Sequence, residues 1–297
     1  MTDHRDVEVQ RPDKVLLPEG ITKKDLAEYY RGVAPFMLPH LRDRPLMLER
    51  HPDGLEGPRF MQKDTPDHYP DWIHRTEVPK EGGTVTHTVC DDTATLIFLV
   101  DQAALTLHRW LSRADDIDHP DRLVFDLDPS GDGDDFEAVR EAARQLHALL
   151  DDLGLPSAPM TTGSRGVHVV VPLDRSQDFD EVRDFARQVA DALADEHPDA
   201  LTTAPRKKDR GDRLFVDVLR NGYAQTAVAP YSVRARPGAP VATPLTWRQL
   251  GAPAVGARHW TIENAVEQAR TDPWKGLLGR GRSLGPAWSK LRSRQGS

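Results

Sequence analysis

Apolar residues return at helical spacing in two long stretches. Over 134–153 they fall at Phe136, Val139, Ala143, Leu146 and Leu150. That spacing predicts an amphipathic helix, with Gly154 as its C-cap. Residues 179–194 repeat the pattern. A third helix is predicted from the N-cap Thr22 in Thr22-Lys-Lys-Asp25 through about Arg31. Between the helices lie strand-length runs at 46–50, 84–89, 123–127, 167–171 and 214–219. After Tyr231 the chain turns rich in Pro and Gly, with short helices predicted at 247–250 and 262–269. Strands alternating with helices predict a layered α/β or α+β domain.

Composition narrows the class. The chain has 297 residues, 29% charged and 38% hydrophobic, as expected of a soluble globular protein. No apolar run approaches the roughly 20 residues of a membrane span. The charged N-terminus is no signal peptide. One cysteine, Cys90, excludes an internal disulfide framework and a cysteine-based zinc site, and a cytoplasmic protein is expected. Net charge is −8, which argues only mildly against nucleic acid, because binding depends on where the cations sit. Here they cluster in 206–213 (RKKDRGDR) and in a tail from Gly276 that carries five Lys/Arg and no Asp/Glu.

The chemistry starts at RLVFDLDPSGDGDDFE, 122–137. In a strand, residues i and i+2 share a face. Asp126 and Asp128 therefore project together, and two adjacent carboxylates repel unless a cation such as Mg²⁺ or Mn²⁺ lies between them. Pro129 helps to end the strand there. The same segment nearly fits a calcium-binding EF-hand loop, with Asp126, Asp128, Ser130, Gly131 and Glu137 at positions 1, 3, 5, 6 and 12. An acidic loop capping the next helix is the third reading, and it suits Asp134 and Asp135.

Asp217, a charge among apolar residues in LFVDVL, is a candidate further carboxylate for a metal pair, or an edge position facing water. TTGSRGVHVVV, 161–171, sets hydroxyls, two glycines and Arg165 before a strand, a turn able to aim N–H groups at phosphate or simply a turn. Arg234 and Arg236 in APYSVRAR share a face if extended, around an anion or in water. His108 in LTLHRWL reads, by itself, as a structural histidine in an apolar stretch.

In order, DKVLLPEGITKKDLAEYY, RPLMLERHPDGLEGPRFMQKDTPDHYPDW, LTLHRW, DRLVFDLDP, TTGSRGVHVVVPL, RLFVDVLRN and TAVAPYSVRARPGAPVATPLTW resemble the polymerase domain of bacterial ligase D. That domain belongs to the archaeo-eukaryotic primase superfamily, and the resemblance runs from about Asp13 to Leu250. It implies a primase-polymerase fold of two sheets with flanking helices, the catalytic sheet RRM-like. It implies one catalytic domain over 1–275 and a basic tail over 276–297. The implied activity is template-dependent nucleotidyl transfer to primer 3′-hydroxyls at gaps and broken ends in non-homologous end joining, with ribonucleotides preferred.

The resemblance also assigns residues. Asp126, Asp128 and Asp217 match the metal triad, for two Mn²⁺ or Mg²⁺ ions. His108, Thr162, Ser164, Arg165, His168, Arg234 and Arg236 match the nucleoside triphosphate site. Lys14, Lys24, Arg50, Phe60, Met61, Lys63 and Arg210 match positions that contact DNA, Lys14 and Lys24 at a downstream 5′-phosphate. The family commonly has Ser at Thr162, Lys at Arg165, an aromatic residue at Met61 and Gln at Arg220. No ligase or phosphoesterase segment is visible, so a stand-alone, monomeric polymerase or an excised domain is expected, acting with Ku and a separate DNA ligase and without a membrane. A metal-dependent phosphatase or nuclease using the same aspartates is the alternative.

Overall fold

A computed structural model describes residues 5–130, 136–276, 279 and 281–295. In chain order the elements are β1 (Val15–Leu17), β2 (Ile21–Thr22), α1 (Lys23–Leu41), β3 (Leu46–Arg50), β4 (Phe60–Gln62), β5 (Arg75–Lys80), β6 (Gly83–Thr88), α2 (Thr93–Asp101) and β7 (Ala104–Trp110). They continue with β8 (Arg122–Asp128), α3 (Phe136–Asp152), β9 (Ala158–Thr161), β10 (Val167–Pro172), α4 (Phe179–Glu196), β11 (Leu201–Thr202), β12 (Leu214–Asp217) and β13 (Thr226–Val228). The last are β14 (Thr243–Pro244), α5 (Trp247–Leu250), α6 (Ala265–Arg270) and α7 (Leu284–Gln295). No helix among the described residues is long and apolar enough to cross a membrane.

The chain divides into two compact units. The first comprises 1–115, 226–243 and 260–272. Its sheet has the order β13-β7-β3-β4, with β5 and β6 as a separate hairpin. Helix α1 carries a full capping box, Thr22 with Asp25. It runs ten residues beyond the expected end at Arg31, through Pro35 and Pro39. Proline withholds an N–H from the helix interior. Here both prolines are exposed, while Leu26, Tyr30, Val33, Met37 and Leu41 bury one face. The buried Tyr30 hydroxyl donates to the Leu105 carbonyl at 3.0 Å and accepts from the Val233 N–H at 3.0 Å, which fastens the helix to the unit. Burial of that face outweighs two missing backbone bonds.

The second unit comprises 116–225, 244–259 and 273–297. Its sheet has the order β11-β12-β8-β10-β9, and beyond β9 the Leu245 N–H donates to the Pro159 carbonyl. Strand β8 is central, antiparallel to both β10 and β12. Helices α3 and α4 pack on the sheet through Val139, Ala143, Leu146 and Leu150, and through Val182, Phe185, Val189 and Leu193. Phe125 and Leu127 are fully buried, whereas Asp126 and Asp128 alternate onto the other face. At 276–297, expected as a basic tail, Leu284–Gln295 form α7. It packs on α4, with Leu284, Ala287 and Leu291 buried.

Two further boundaries need correction. The strand expected over 214–219 stops at Asp217, because the Asp217 carboxylate accepts the Leu219 N–H at 2.8 Å and opens a 3₁₀ turn over Leu219–Asn221. The helix expected at 262–269 begins only at Ala265. Helix α2 was not foreseen: buried on most sides, its run TATLIFLVD shows no amphipathic period. The proposed calcium-loop positions at 131–135 and the helix start at Asp134 lie outside the described residues. The segment before them is the strand β8, not the entering helix that an EF-hand needs.

Candidate active site

Register brings the carboxylates together. Asp126 on β8 is paired with His168 on β10 and with Asp217 on β12. Direct cross-strand partners share a face, so His168, Asp126 and Asp217 form a row across three strands, and Asp128 lies one pleat further along. Burial pushes the Asp217 carboxyl above its ordinary pKa, and the Asp126 charge adds to this. The Leu219 N–H and the Arg220 and Arg210 guanidiniums pull the other way without cancelling it.

Basic side chains surround the row. His168 Nε2 lies 3.5 Å from Asp126 Oδ2, and Arg220 Nε 3.7 Å from the same oxygen. Arg165 Nη2 lies 3.3 Å from Asp128 Oδ1, and Arg210 Nη1 3.9 Å from Asp128 Oδ2. Arg210 is held independently. Its guanidinium stacks 3.8 Å over the Phe215 ring and donates to the Ala204 and Pro205 carbonyls.

The turn over 161–166 is built against β8. A Cβ on Gly166 would lie 2.2 Å from the Leu127 carbonyl oxygen, so only glycine fits. Gly163 has φ +64°. The Thr162 hydroxyl donates to the Gly166 carbonyl at 3.1 Å and accepts the Ser164 N–H at 3.3 Å. It therefore closes the turn itself. The Ser164 carbonyl accepts from Arg258 Nε at 2.9 Å.

The first unit carries the other predicted nucleotide residues. His108 on β7 is largely buried, with Nε2 3.9 Å from Glu49 Oε2. Glu49 also faces His51 Nε2 at 3.4 Å and Arg59 at 3.7 Å. Burial raises the Glu49 carboxyl, but hydrogen bonds and charge from His108 and His51 more than offset this and bring it down to about 2. Arg234 and Arg236 are not an extended pair. The Arg236 N–H donates to the Arg234 carbonyl at 2.7 Å, a tight turn that follows the Val233–Val241 bridge.

A cavity of about 310 Å³ in the same unit is lined by Arg11, Lys14, Lys23 and Arg50, with Asp101 as its acid. Lys14 donates to the Pro52 carbonyl and lies 3.4 Å from Asp53. Lys23, missed by sequence reading, donates from a buried position to the Gln10 carbonyl at 3.0 Å and pairs with Asp101 at 2.9 Å. Lys24 is exposed, 3.9 Å from Glu28, and does not line the cavity. Arg50 donates to the Gln102 carbonyl and to Gln62. On the edge strand β4, Phe60 is 52% exposed and Met61 43%, unusual for such side chains, and Lys63 follows them on the surface.

Sequence reading also missed a group in the first unit. Asp43, His74 and Asp91, from three separate segments, bring one donor atom each within 4.8 Å of one another. No motif spacing announces them. Their donors are already engaged: His74 Nδ1 lies 2.6 Å from Asp91 Oδ2, Asp91 Oδ1 accepts the Asp43 N–H at 2.8 Å, and Arg113 lies 3.8 Å from Asp43.

A family model described as the primase-polymerase domain of LigD matches residues 22–274. The multifunctional non-homologous end joining DNA repair protein LigD of Mycobacterium tuberculosis (strain ATCC 25618 / H37Rv) is 37% identical over 258 residues, covering 84% of this chain and 34% of that protein. The bifunctional LigD of Bacillus subtilis (strain 168) is 31% identical over 260 residues, covering 87% of this chain and 41% of that protein. The chain thus spans about a third to two-fifths of the length of these relatives. The solved polymerase domain from Mycobacterium tuberculosis Ligase D in complex with DNA superposes with a TM-score of 0.86 at 33% identity, over 93% of this chain and 99% of that one. By sequence and by fold, the chain belongs to the LigD primase-polymerase domain family, a family of polymerase-type nucleotidyltransferases.

Proposed function

We propose that this chain extends primer 3′-hydroxyls at gaps and broken DNA ends by templated nucleotide addition in non-homologous end joining, with ribonucleotides preferred. The observation that carries the reading is the carboxylate row Asp126–Asp217, with Asp128 beside it, on the face of β8 opposite Phe125 and Leu127. Its donors are all hard oxygens, and Asp217 is a buried carboxyl beside the Asp126 charge, raised first by burial and then by that charge. Both features fit Mg²⁺ or Mn²⁺. Asp126, Asp128 and Asp217 would hold two such ions, which would supply Lewis-acid chemistry to the attacking hydroxyl and the triphosphate.

The chain's own residues do the positioning. Asp126, Asp128 and Asp217 hold the ions. Arg165 and Arg210 set positive charge beside them for triphosphate oxygens, the His168 imidazole lies next to Asp126, and the 161–166 turn, with Thr162 closing it, presents Ser164 and Arg165. His108, Arg234 and Arg236 of the first unit are proposed as nucleotide contacts. Arg11, Lys14, Lys23 and Arg50 concentrate four cations at one small cavity, which supports capture of a 5′-phosphate there. Lys24, outside that lining, is proposed only as an outer DNA contact. Phe60, Met61 and Lys63 are proposed to stack on and pair with the DNA strand. Ku and a separate DNA ligase are proposed partners, in the cytoplasm at the nucleoid.

Primer extension on gapped DNA with a 5′-phosphate, with Mn²⁺ or Mg²⁺ and with ribo- or deoxynucleotides, tests the reading. Extension is expected, lost in Asp126→Ala and in Asp217→Ala. Extension that survives both substitutions would falsify the triad. Release of phosphate or shortened strands without nucleotide addition would favour a phosphatase or nuclease.

A further inference from the structure

We infer that Arg220 is a displaceable counter-ion of the candidate metal centre: its guanidinium holds Asp126 while no metal is bound and must leave when one binds, so Arg220 sets the affinity for the divalent ion. The inference rests on the metal role proposed above for Asp126 and Asp217.

Two features fix where Arg220 stands. It lies in the 3₁₀ turn that follows β12, and the next residue, Asn221, is fully buried. The Asn221 side chain accepts the Val124 N–H at 2.8 Å and donates to the Val124 carbonyl at 2.8 Å. This clamp fastens the turn to β8 two residues before Asp126. From there Arg220 Nε reaches to 3.7 Å from Asp126 Oδ2, and its charge also lowers the Asp217 carboxyl. One guanidinium thus serves two of the three proposed ligands.

Two neighbouring groups, His168 and Arg210, are anchored, and Arg165 faces Asp128 rather than Asp126; among the described residues Arg220 is held by no such anchor. His168 is 4% exposed and set in the sheet by its register with Asp126. Arg210 is 10% exposed and pinned by Phe215 and two carbonyls. Arg220 is 43% exposed, and among the described residues its one ion pair is with Asp126, itself 16% exposed. A divalent ion on Asp126 Oδ2 and a guanidinium near 3.7 Å from the same oxygen are like charges within a few ångströms. Their repulsion disfavours the metal-bound state for as long as the guanidinium stays in place. A fixed cation can stay and weaken the ion; a half-exposed side chain on a fixed turn can swing into water. The ion therefore competes with Arg220 for Asp126.

The test is Mn²⁺ binding to the whole chain, measured by the electron paramagnetic resonance signal of free Mn²⁺, together with melting temperatures with and without Mn²⁺. Wild type, Arg220→Gln, Arg220→Lys and Asp126→Ala are compared. Arg220→Gln is expected to bind Mn²⁺ about tenfold more tightly, the scale of one charge interaction near a surface. Its melting temperature without Mn²⁺ should fall, and its gain on adding Mn²⁺ should exceed that of wild type. Arg220→Lys, which keeps the charge, should stay close to wild type. Equal affinities in wild type and Arg220→Gln, with equal losses of melting temperature in both conditions, would make Arg220 a structural residue and overturn the inference. Mn²⁺ binding that is absent, or unchanged by Asp126→Ala, overturns the metal reading itself and the inference with it.

Discussion

At the scale of single residues, environment decides role more than residue type does. Gly166 is a glycine because β8 leaves no room: a methyl group would meet the Leu127 carbonyl at 2.2 Å. Gly166→Ala should cost about 1–3 kcal/mol in chemical denaturation, and nucleotide addition should fall with it because the turn that carries Arg165 moves. Glu49 is a carboxylate held among His51, His108 and Arg59. Its folded pKa of about 2 lies below the unfolded value. Its stabilising contribution is therefore present above the unfolded pKa and is lost as pH falls through the folded one. Melting temperatures followed from pH 5 to pH 2 should decline less steeply in Glu49→Gln than in wild type; parallel curves would sink the assignment. Neither role could be read from the sequence. A glycine before a strand is usually a turn, and nothing in LERHPDG announces that Glu49 will meet a histidine on β7.

At the scale of elements, short connections position the chemistry. The Leu219–Asn221 turn is fastened to β8 by one amide side chain. Asn221→Ala leaves a buried donor and acceptor of Val124 without that partner and should cost about 2–3 kcal/mol in urea unfolding. The loss should extend to Asp126 and Asp217, on whose strands the turn rests. Helix α7 offers a second case. It buries Leu284, Ala287 and Leu291 against the second unit, its Trp288 indole donates to Gln188 on α4, and Lys290 and Arg294 pair with Asp152. Truncation after Ser283 should therefore destabilise the chain by at least about 3 kcal/mol, read as a lower denaturation midpoint. A midpoint within error of the full chain would mean that α7 adds no stability. The basic composition of 276–297 pointed to a DNA-binding or solvated tail. The structure instead pairs two of those cations, Lys290 and Arg294, with Asp152 and Glu196.

At the scale of the whole molecule, the proposed action on DNA requires a chain of net charge −8 to meet a polyanion through local concentrations of cations. The four around the small cavity are one such concentration. Affinity for gapped DNA should fall linearly on a log–log plot of binding against salt, with a slope near one per phosphate contact, and Lys14→Ala combined with Arg50→Ala should flatten it. An unchanged slope would place the phosphate contacts elsewhere. By itself, the sequence determined the layered α/β class, the amphipathic helices α3 and α4, and the likeness of face between Asp126 and Asp128. Those features follow from local periodicity, which one segment fully specifies. It also carried the motifs of a LigD-type polymerase domain. Tertiary structure alone decided that Asp217 pairs with Asp126 across β8 and β12, that α1 continues through two prolines, that Lys23 rather than Lys24 lines the cationic cavity, and that Arg220 meets Asp126. The physical reason is the same throughout: strand register, burial and charge proximity join residues far apart in the chain, and spacing along the chain does not encode distance across a sheet.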